Sequence, residues 1–527
     1  MNNPISNSSI QISAILNTHS LLWIVITLSA IVLILLGIIN QPYYPATWID
    51  EGFALQGATN LAIYGKYAMR SVEGFRVLDQ PLIANGPGVV LPISAIFSLF
   101  GVGLMQARLV MIFYLVSSGL LFLYISKRLF GLAAALISMF FLIALPSEGF
   151  ILYGRQALGM IPALLYFLIG YLFWLMALDH NKFAYLIGAG VFFGLAAITK
   201  GQYMLLIPLT LIAAAIADRV YFKTNSDRKL IFILLTMLVC LAGWYFVQLS
   251  LLGWEKFIQN LYAVQASSKV TVTAFRVMRI PGNLWYLVRS GILLVVLPGW
   301  FYISVISVRR RNLRSLSVLL PIILIPLWLL WFVLISVGWH RYAFDPFVVG
   351  ALFTGKYVID SYSFLRNRIN FKSVDTKIDQ IMLLLGCFGL LVLLLVSSTG
   401  GFFGQIQRII AKPDTSPQQF SAFLREHIRQ DAVVESWEWE IDTLTPGHTY
   451  HHPTNDMVDT MTAILQFNEK IEYTYDPFAY HPDYIIDGPF SKWTEIYKIY
   501  LSDCCGLLFS TGAYDLYEVN YDQDLSG

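Results

Sequence analysis

An adjacent pair of carboxylates, Asp50 and Glu51, follows directly on the first long apolar stretch of the chain. Acids at such a place stand where a membrane helix gives way to water. A carboxylate there can act as general base on the hydroxyl of a water-borne substrate while the other reactant stays in lipid. The plainer reading is a pair of solvated charges beside a helix end. Basic residues mark similar places farther on. Lys200 lies between two apolar runs, Arg341 opens another with His340 and Tyr342 at its sides, and Arg155 sits in a short connector. A cation at the centre of an apolar helix costs roughly 2.5–3.5 kcal/mol on insertion scales, so one near a span end is cheaper and commonly functional. The alternative for each is a side chain that only snorkels to the interface.

These residues need a membrane to hold them, and the composition supplies it. Of 527 residues, 57% are hydrophobic and only 13% charged, against about 25% charged in a soluble domain. Apolar runs of near-spanning length occur at 21–39, 105–125, 132–147, 161–178, 183–199, 201–217, 230–252, 286–307, 315–337, 342–358 and 380–399. Each is expected as a helix, because backbone polar groups find no water partners in lipid. Residues 1–20 lack the short cationic start of a cleavable signal, and 21–39 is long enough to stay as an anchor. The run 87–104 is interrupted by Pro87, Gly88, Pro92, Gly101 and Gly103. The net charge of +2 points to no nucleic-acid partner.

Topology follows from the basic clusters, which fall at Lys127 and Arg128, at Lys182, at Arg219 to Lys229, at Arg309 to Arg314, and at Arg366 to Lys377. Positive connectors stay cytoplasmic. If 87–104 lies in the outer leaflet without crossing, all these clusters share one side. The expected fold is then an all-α polytopic membrane domain of about eleven spans, residues 1–404, with juxtamembrane helices in the first outer connector. Phe53, Leu55, Leu61, Ile63 and Tyr64 suit a helix lying on the membrane surface. From residue 405 the composition changes. Phe420–Arg429 reads as an amphipathic helix, and Ala432–Glu435 and Tyr484–Asp487 as short buried strands. Residues 405–527 are expected as a small α/β domain facing outward. Cys240 and Cys387 fall in apolar runs. Cys504 and Cys505 are neighbours and are not expected to form an ordinary bridge with each other. His448, His451, His452 and His481 match no standard zinc spacing.

Four stretches taken in order resemble the GT-C superfamily of membrane glycosyltransferases, in the branch of the protein O-mannosyltransferases and the bacterial aminoarabinose transferase (glycosyltransferase family 39-like). They are Asp50-Glu51 with Asn60–Tyr67; Gly86-Pro-Gly through Leu99-Phe-Gly101 to Ala107-Arg108-Leu109; Gly190–Lys200; and Arg341-Tyr342 followed by Pro346. The resemblance implies a transferase of the bacterial plasma (inner) membrane. It takes a sugar from a polyprenyl-phosphate carrier and passes it to a lipid, glycan or protein acceptor at the outer face. It also implies that the acidic residue of the first outer connector, here Asp50 with Glu51 beside it, is catalytic. Many relatives carry a second acid after the arginine of the next outer connector. This chain has Gln156 and Met160 there, and Glu148 a few residues earlier. A divalent metal, and Glu148 as its ligand, therefore stay open; no other cofactor is expected.

The phosphate of such a donor leaves as a stable anion and needs no general acid, whereas the acceptor hydroxyl needs a base. One carboxylate suffices for direct displacement with inversion, unlike the paired carboxylates of glycosidases. Lys200, Arg341 and Arg155, with His340 and Tyr342, are the candidates to hold the phosphate. The competing readings are a lipid or glycan transporter or flippase, and a polymerase or ligase of surface polysaccharide. The chain lacks the matching halves common in transporters.

Overall fold

The computed structural model describes residues 6–144, 149–310, 313–369 and 378–521. The chain opens with α1 (Ser6–Ile38). The connector after it carries α2 (Ile49–Tyr64), an antiparallel hairpin of β1 (Ala68–Ser71) and β2 (Gly74–Val77), α3 (Gln80–Asn85) and α4 (Pro87–Phe100). Then come α5 (Leu104–Phe130), α6 (Leu132–Ala144), the single turn α7 (Phe150–Tyr153), α8 (Met160–His180), α9 (Phe183–Thr199) and α10 (Gly201–Ala217). α11 (Asp227–Thr271) is two helices joined at Gly253, whose φ of 73° is a left-handed conformation that glycine adopts without a Cβ penalty. α12 (Ile280–Arg289), α13 (Ile292–Arg310), α14 (Leu313–Leu334), α15 (Phe344–Ile369) and α16 (Ile378–Ile410) complete the helical body.

Among the described residues every apolar run read from the sequence falls mainly on a helix, with 286–307 divided between α12 and α13, and the chain is a multi-pass membrane protein. Among the described residues eight helices are long and apolar enough to cross a membrane: α1, α5, α8, α10, α11, α13, α14 and α16. α6 and α9 are shorter apolar helices, and α15 carries the remaining run. α4 has 14 residues, a rise of about 21 Å, which is short of the ~30 Å hydrocarbon core.

The C-terminal domain follows α16, which runs through the expected 404/405 boundary to Ile410. It contains α17 (Ser416–His427), β3 (Val433–Ser436), α18 (Trp439–Leu444), β4 (Thr449–His451), α19 (Asn455–Phe467), β5 (Tyr484–Asp487), α20 (Pro489–Thr494), α21 (Leu501–Cys504), β6 (Cys505–Thr511) and β7 (Tyr514–Val519). The sheet order is β4-β3-β5-β7-β6, parallel on its β4-β3-β5 side and antiparallel beyond. Phe420 and Leu424 of α17 pack on Val434, Ile486 and Leu516, which closes one core. Cys504 and Cys505 are bonded to each other at the junction of α21 and β6. The pair closes a vicinal ring, which is not the ordinary bridge that the sequence argued against.

One expectation is corrected. α2 does not lie on a surface. It is buried from Glu51 to Asn60, packed between α4 and α18 of the C-terminal domain. Phe53 meets the Trp439 ring at 4.8 Å. A Cβ on Gly52 would lie 2.5 Å from the Glu440 backbone nitrogen. Phe53 and Leu55, which looked suited to lipid, are buried, Phe53 against a partner almost 400 residues later in the chain, whereas Ile63 and Tyr64 at the end of the helix stay exposed.

Candidate active site

α2 begins at Ile49, after an extended Trp48, with both acids in its first turn. Carboxylates there are favoured by the helix dipole. Successive helical residues point about 100° apart, so the two acids take different surroundings. Glu51 is fully buried. Its oxygens accept from Arg108 Nε at 2.9 Å, Arg108 Nη2 at 2.6 Å and the Ala157 backbone nitrogen at 2.9 Å. Arg108 also donates to the Gln41 carbonyl at 2.7 Å. This is a bidentate, charge-assisted pair, and losing one partner of such a buried pair costs about 3–5 kcal/mol. Glu51 does not line the cavity described next. The expectation of a catalytic Glu51 therefore gives way to a structural one: it ties α2 to α5 and to the connector before α8.

Arg155 is corrected in the same way. Its buried guanidinium donates to the Gly37 carbonyl at 3.1 Å, to Ile39 at 2.6 Å, to Tyr44 at 2.7 and 3.0 Å, and to Leu36. These include carbonyls left without partners at the end of α1. The side chain is spent on closing a helix terminus and has no donor left for a phosphate.

Asp50 faces a cavity of about 710 Å³ at the end of the helical body that meets the C-terminal domain. That is within the ~300–1,000 Å³ of small-molecule sites. Asp50 Oδ2 lies 2.5 Å from Arg341 Nη1. The Arg341 guanidinium lies 4.2 Å from the Trp339 ring centre, 5.3 Å from Trp48 and 5.8 Å from Tyr342. Aromatic faces around a guanidinium orient it and replace part of its lost hydration. His340 stacks on Tyr286 at 3.9 Å, and Tyr342 is buried, its carbonyl accepting from Trp328 Nε1 at 2.8 Å. All four expected residues Lys200, His340, Arg341 and Tyr342 line the same cavity as Asp50.

Lys200 stands in the turn between α9 and α10, outside either helix. Its ammonium lies 5.9 Å from the Tyr342 ring centre. The turn is received by the glycines of two other stretches: a Cβ on Gly86 would lie 2.8 Å from Thr199 Cα, and one on Gly159 2.8 Å from the Thr199 carbonyl oxygen. Close backbone approach is what brings the ammonium to the cavity. Burial first, and then Arg341, push the Lys200 ammonium down to about 8, against the opposite pull of Asp50 and Asp345. Asp345 itself is buried on α15, four residues after Arg341, and accepts from the Tyr203 hydroxyl.

Sequence reasoning missed Asp345, although its spacing of one helical turn from Arg341 was a usable signal. It also missed the part of the cavity built by α19 and α20, which includes Asn455, Asp459, Gln466 and Trp493. Gln156 and Met160 line the cavity where a second acid was expected. Glu148 lies outside the described residues. Among the described residues no three His, Cys, Asp or Glu side chains gather as a metal-binding group. Among the described residues Asp50 is matched by Arg341 and Gln156 is neutral, so these two offer a divalent cation no pair of free carboxylates.

Comparison with known proteins bears on this arrangement. Residues 79–246 match the family model described as dolichyl-phosphate-mannose-protein mannosyltransferase. No curated protein matches the chain. Among solved structures it is similar to ArnT from Cupriavidus metallidurans bound to undecaprenyl phosphate, at 14% identity and a TM-score of 0.64, over 94% of this chain and 97% of that one. The apo state of the same protein gives a TM-score of 0.60 at 12% identity, over 95% and 98%. The Archaeoglobus fulgidus oligosaccharyltransferase AglB, in complex with an inhibitory peptide and a dolichol-phosphate, gives 0.52 at 13% identity, over 95% of this chain and 75% of that one. The chain has the GT-C fold and resembles the branch that the sequence motifs indicated.

Proposed function

We propose that the chain is a glycosyltransferase that moves a sugar from a polyprenyl-phosphate carrier to an acceptor hydroxyl, with inversion and with Asp50 as general base. The observation that carries this reading is the meeting of Asp50, Arg341 and Lys200 in one cavity at one end of a membrane helix bundle. The fold adds support, since ArnT is bound to undecaprenyl phosphate and AglB to a dolichol-phosphate.

The residues divide the work as follows. Arg341 presents a planar fork suited to a phosphate, and Lys200 a point charge. An incoming phosphate competes with Asp50 for Arg341. As it takes the guanidinium, the Asp50 carboxylate is released toward the acceptor hydroxyl. The hydroxyl oxygen attacks the anomeric carbon from the face opposite the carrier, the bond to the phosphate oxygen breaks, and Asp50 takes the hydroxyl proton. The two cations hold the departing phosphate where its negative charge grows.

The cavity faces outward in this proposal. α5 has 27 residues and rises about 30 Å from Arg108, near the cavity, to Lys127 and Arg128. Arg128 pairs there with Asp179 at the end of α8, at 2.5 Å. The basic connectors thus lie at the end away from the cavity, and positive connectors are cytoplasmic. Residues 405–527 then form the outward domain, and the membrane is the plasma membrane of a bacterium.

The test uses the full chain in lipid nanodiscs with a polyprenyl-phosphate-linked hexose or pentose. Asp50→Asn is expected to slow sugar release from the carrier by about 10²–10⁴-fold while undecaprenyl phosphate still raises the unfolding temperature. Normal turnover by a folded Asp50→Asn protein would remove Asp50 as the base. Movement of the donor between leaflets without cleavage would favour the transporter reading instead.

A further inference from the structure

The cavity has a second wall that the proposed chemistry does not use. α19 lines it with Asn455, Asp459, Thr462 and Gln466. These stand at i, i+4, i+7 and i+11, one face of a helix, over a rise of about 16 Å. Asp459 accepts from Asn455 Nδ2 at 3.1 Å and from Ser267, which in turn accepts from Gln80 Nε2 at 2.7 Å. Gln466 Oε1 accepts from Arg279 Nη2 at 3.0 Å. Asp459 and Gln466 are therefore fixed by neighbours from the helical body, Asn455 is held by Asp459, and Thr462 donates to the Val458 carbonyl of its own helix at 2.8 Å. Beside them Trp493 of α20 is 42% exposed, its ring 5.5 Å from that of Phe490.

We infer that the α19–α20 wall is the acceptor subsite and that it binds a neutral saccharide. The inference rests on the transferase reading for the word acceptor, but the binding of sugar to this wall stands by itself. A sugar ring presents hydroxyls at its rim and C–H groups on its faces. A row of fixed carboxylate and amide groups matches the hydroxyls, as donors and acceptors both. An exposed indole beside that row matches the apolar face. The alternatives fit less well. An extended peptide is gripped through an exposed strand edge, and no residue lining the cavity belongs to a strand. A lipid headgroup phosphate is repelled by Asp459, and Arg279, the cation on this side, is already bonded to Gln466, whereas Lys200 and Arg341 line the cavity with Asp50. Groups that hydrogen-bond a substrate hydroxyl reject analogues lacking it strongly, so this wall selects the acceptor while the Asp50 side performs the transfer.

Saturation-transfer difference NMR on the full chain in nanodiscs tests the subsite without turnover. The probes are lactose, maltose, chitobiose and mannobiose, with a blocked Ala-Ser-Thr-Ala peptide as the counter-probe. At least one disaccharide is expected to receive saturation. Trp493→Ala and the isosteric Asp459→Asn, each shown folded by thermal unfolding, are expected to lower that signal at least fivefold. In turnover assays with the same disaccharide both variants should raise KM about tenfold with a smaller change in kcat. Saturation of the peptide alone, of no probe, or equally in wild type and both folded variants would overturn the inference. A sugar signal that depends on Trp493 in a protein that never consumes the donor would retain this subsite and sink the transferase reading.

Discussion

At the scale of single residues, the chemistry turns on which charges are already committed. Glu51 and Arg155 are held by partners within the protein, while Asp50, Arg341 and Lys200 face the cavity. Lys200 is the one whose charge falls within reach of ordinary buffers, since burial brings its ammonium down to about 8. It is charged below that value and neutral above it. The free protein should therefore lose about nine-tenths of its Lys200 charge between pH 7 and pH 9. The expected outcome is a fall of kcat/KM for the donor across that window, since this ratio reports groups of the free enzyme. Lys200→Arg stays charged throughout. Its profile should be flat there even if its absolute rate is lower. A wild-type profile that stays level from pH 7 to 9 would mean that Lys200 does not hold the donor.

At the scale of elements, α2 matters because both of its faces are covered. One side rests on α4 and the other on α18, and the close approach at Gly52 leaves no room for a side chain against the Trp439 and Glu440 backbone. Gly52→Ala is expected to force α18 away. It should cost about 1–3 kcal/mol, as overpacking does, and should also reduce donor turnover, because Asp50 is two residues away. The measurements are the unfolding temperature and the rate of sugar release. A Gly52→Ala protein with both at wild-type values would show that α18 does not clamp α2. This element also shows where sequence reading reached its limit. The membrane helices were legible because lipid leaves the backbone one local solution. Two of the five C-terminal strands, β3 and β5, were legible as short apolar runs, whereas β4 has three residues, β6 is exposed over most of its length and β7 interleaves Leu516 and Val519 with polar and half-buried positions. α2 was legible as a helix but not as a buried one, because its cover comes from residues 439–444. Likewise nothing local to Asp50-Glu51 says which acid meets Arg108. The vicinal bond of Cys504 and Cys505 needed the turn from α21 into β6 to become apparent.

At the scale of the whole molecule, the C-terminal domain is part of the site and not an appendage, since it supplies one wall of the cavity and the cover of α2. Its attachment to the first connector runs through a polar seam. Arg76 donates to the Pro453 carbonyl at 3.1 Å, Ser71 accepts from the His452 backbone nitrogen at 3.1 Å, and His451 lies between Glu435 of its own domain and Glu73, with Nε2 3.4 Å from the Glu73 oxygen. Burial pushes the His451 imidazolium down, but the Glu435 hydrogen bond and the charges of Glu435 and Glu73 outweigh it, against Arg76, and the net shift is upward. A histidine raised on folding adds stability that is fully present below its unfolded value of about 6.5 and is lost as pH rises through the folded one. The seam is therefore expected to weaken toward alkaline pH. Thermal unfolding of the full chain, measured from pH 6 to 9 beside His451→Gln, reads this directly. The wild-type advantage should be largest at pH 6 and shrink as pH rises. An advantage that keeps the same size across the range would assign the seam to packing alone, with the His451 charge playing no part in holding the two halves of the cavity together.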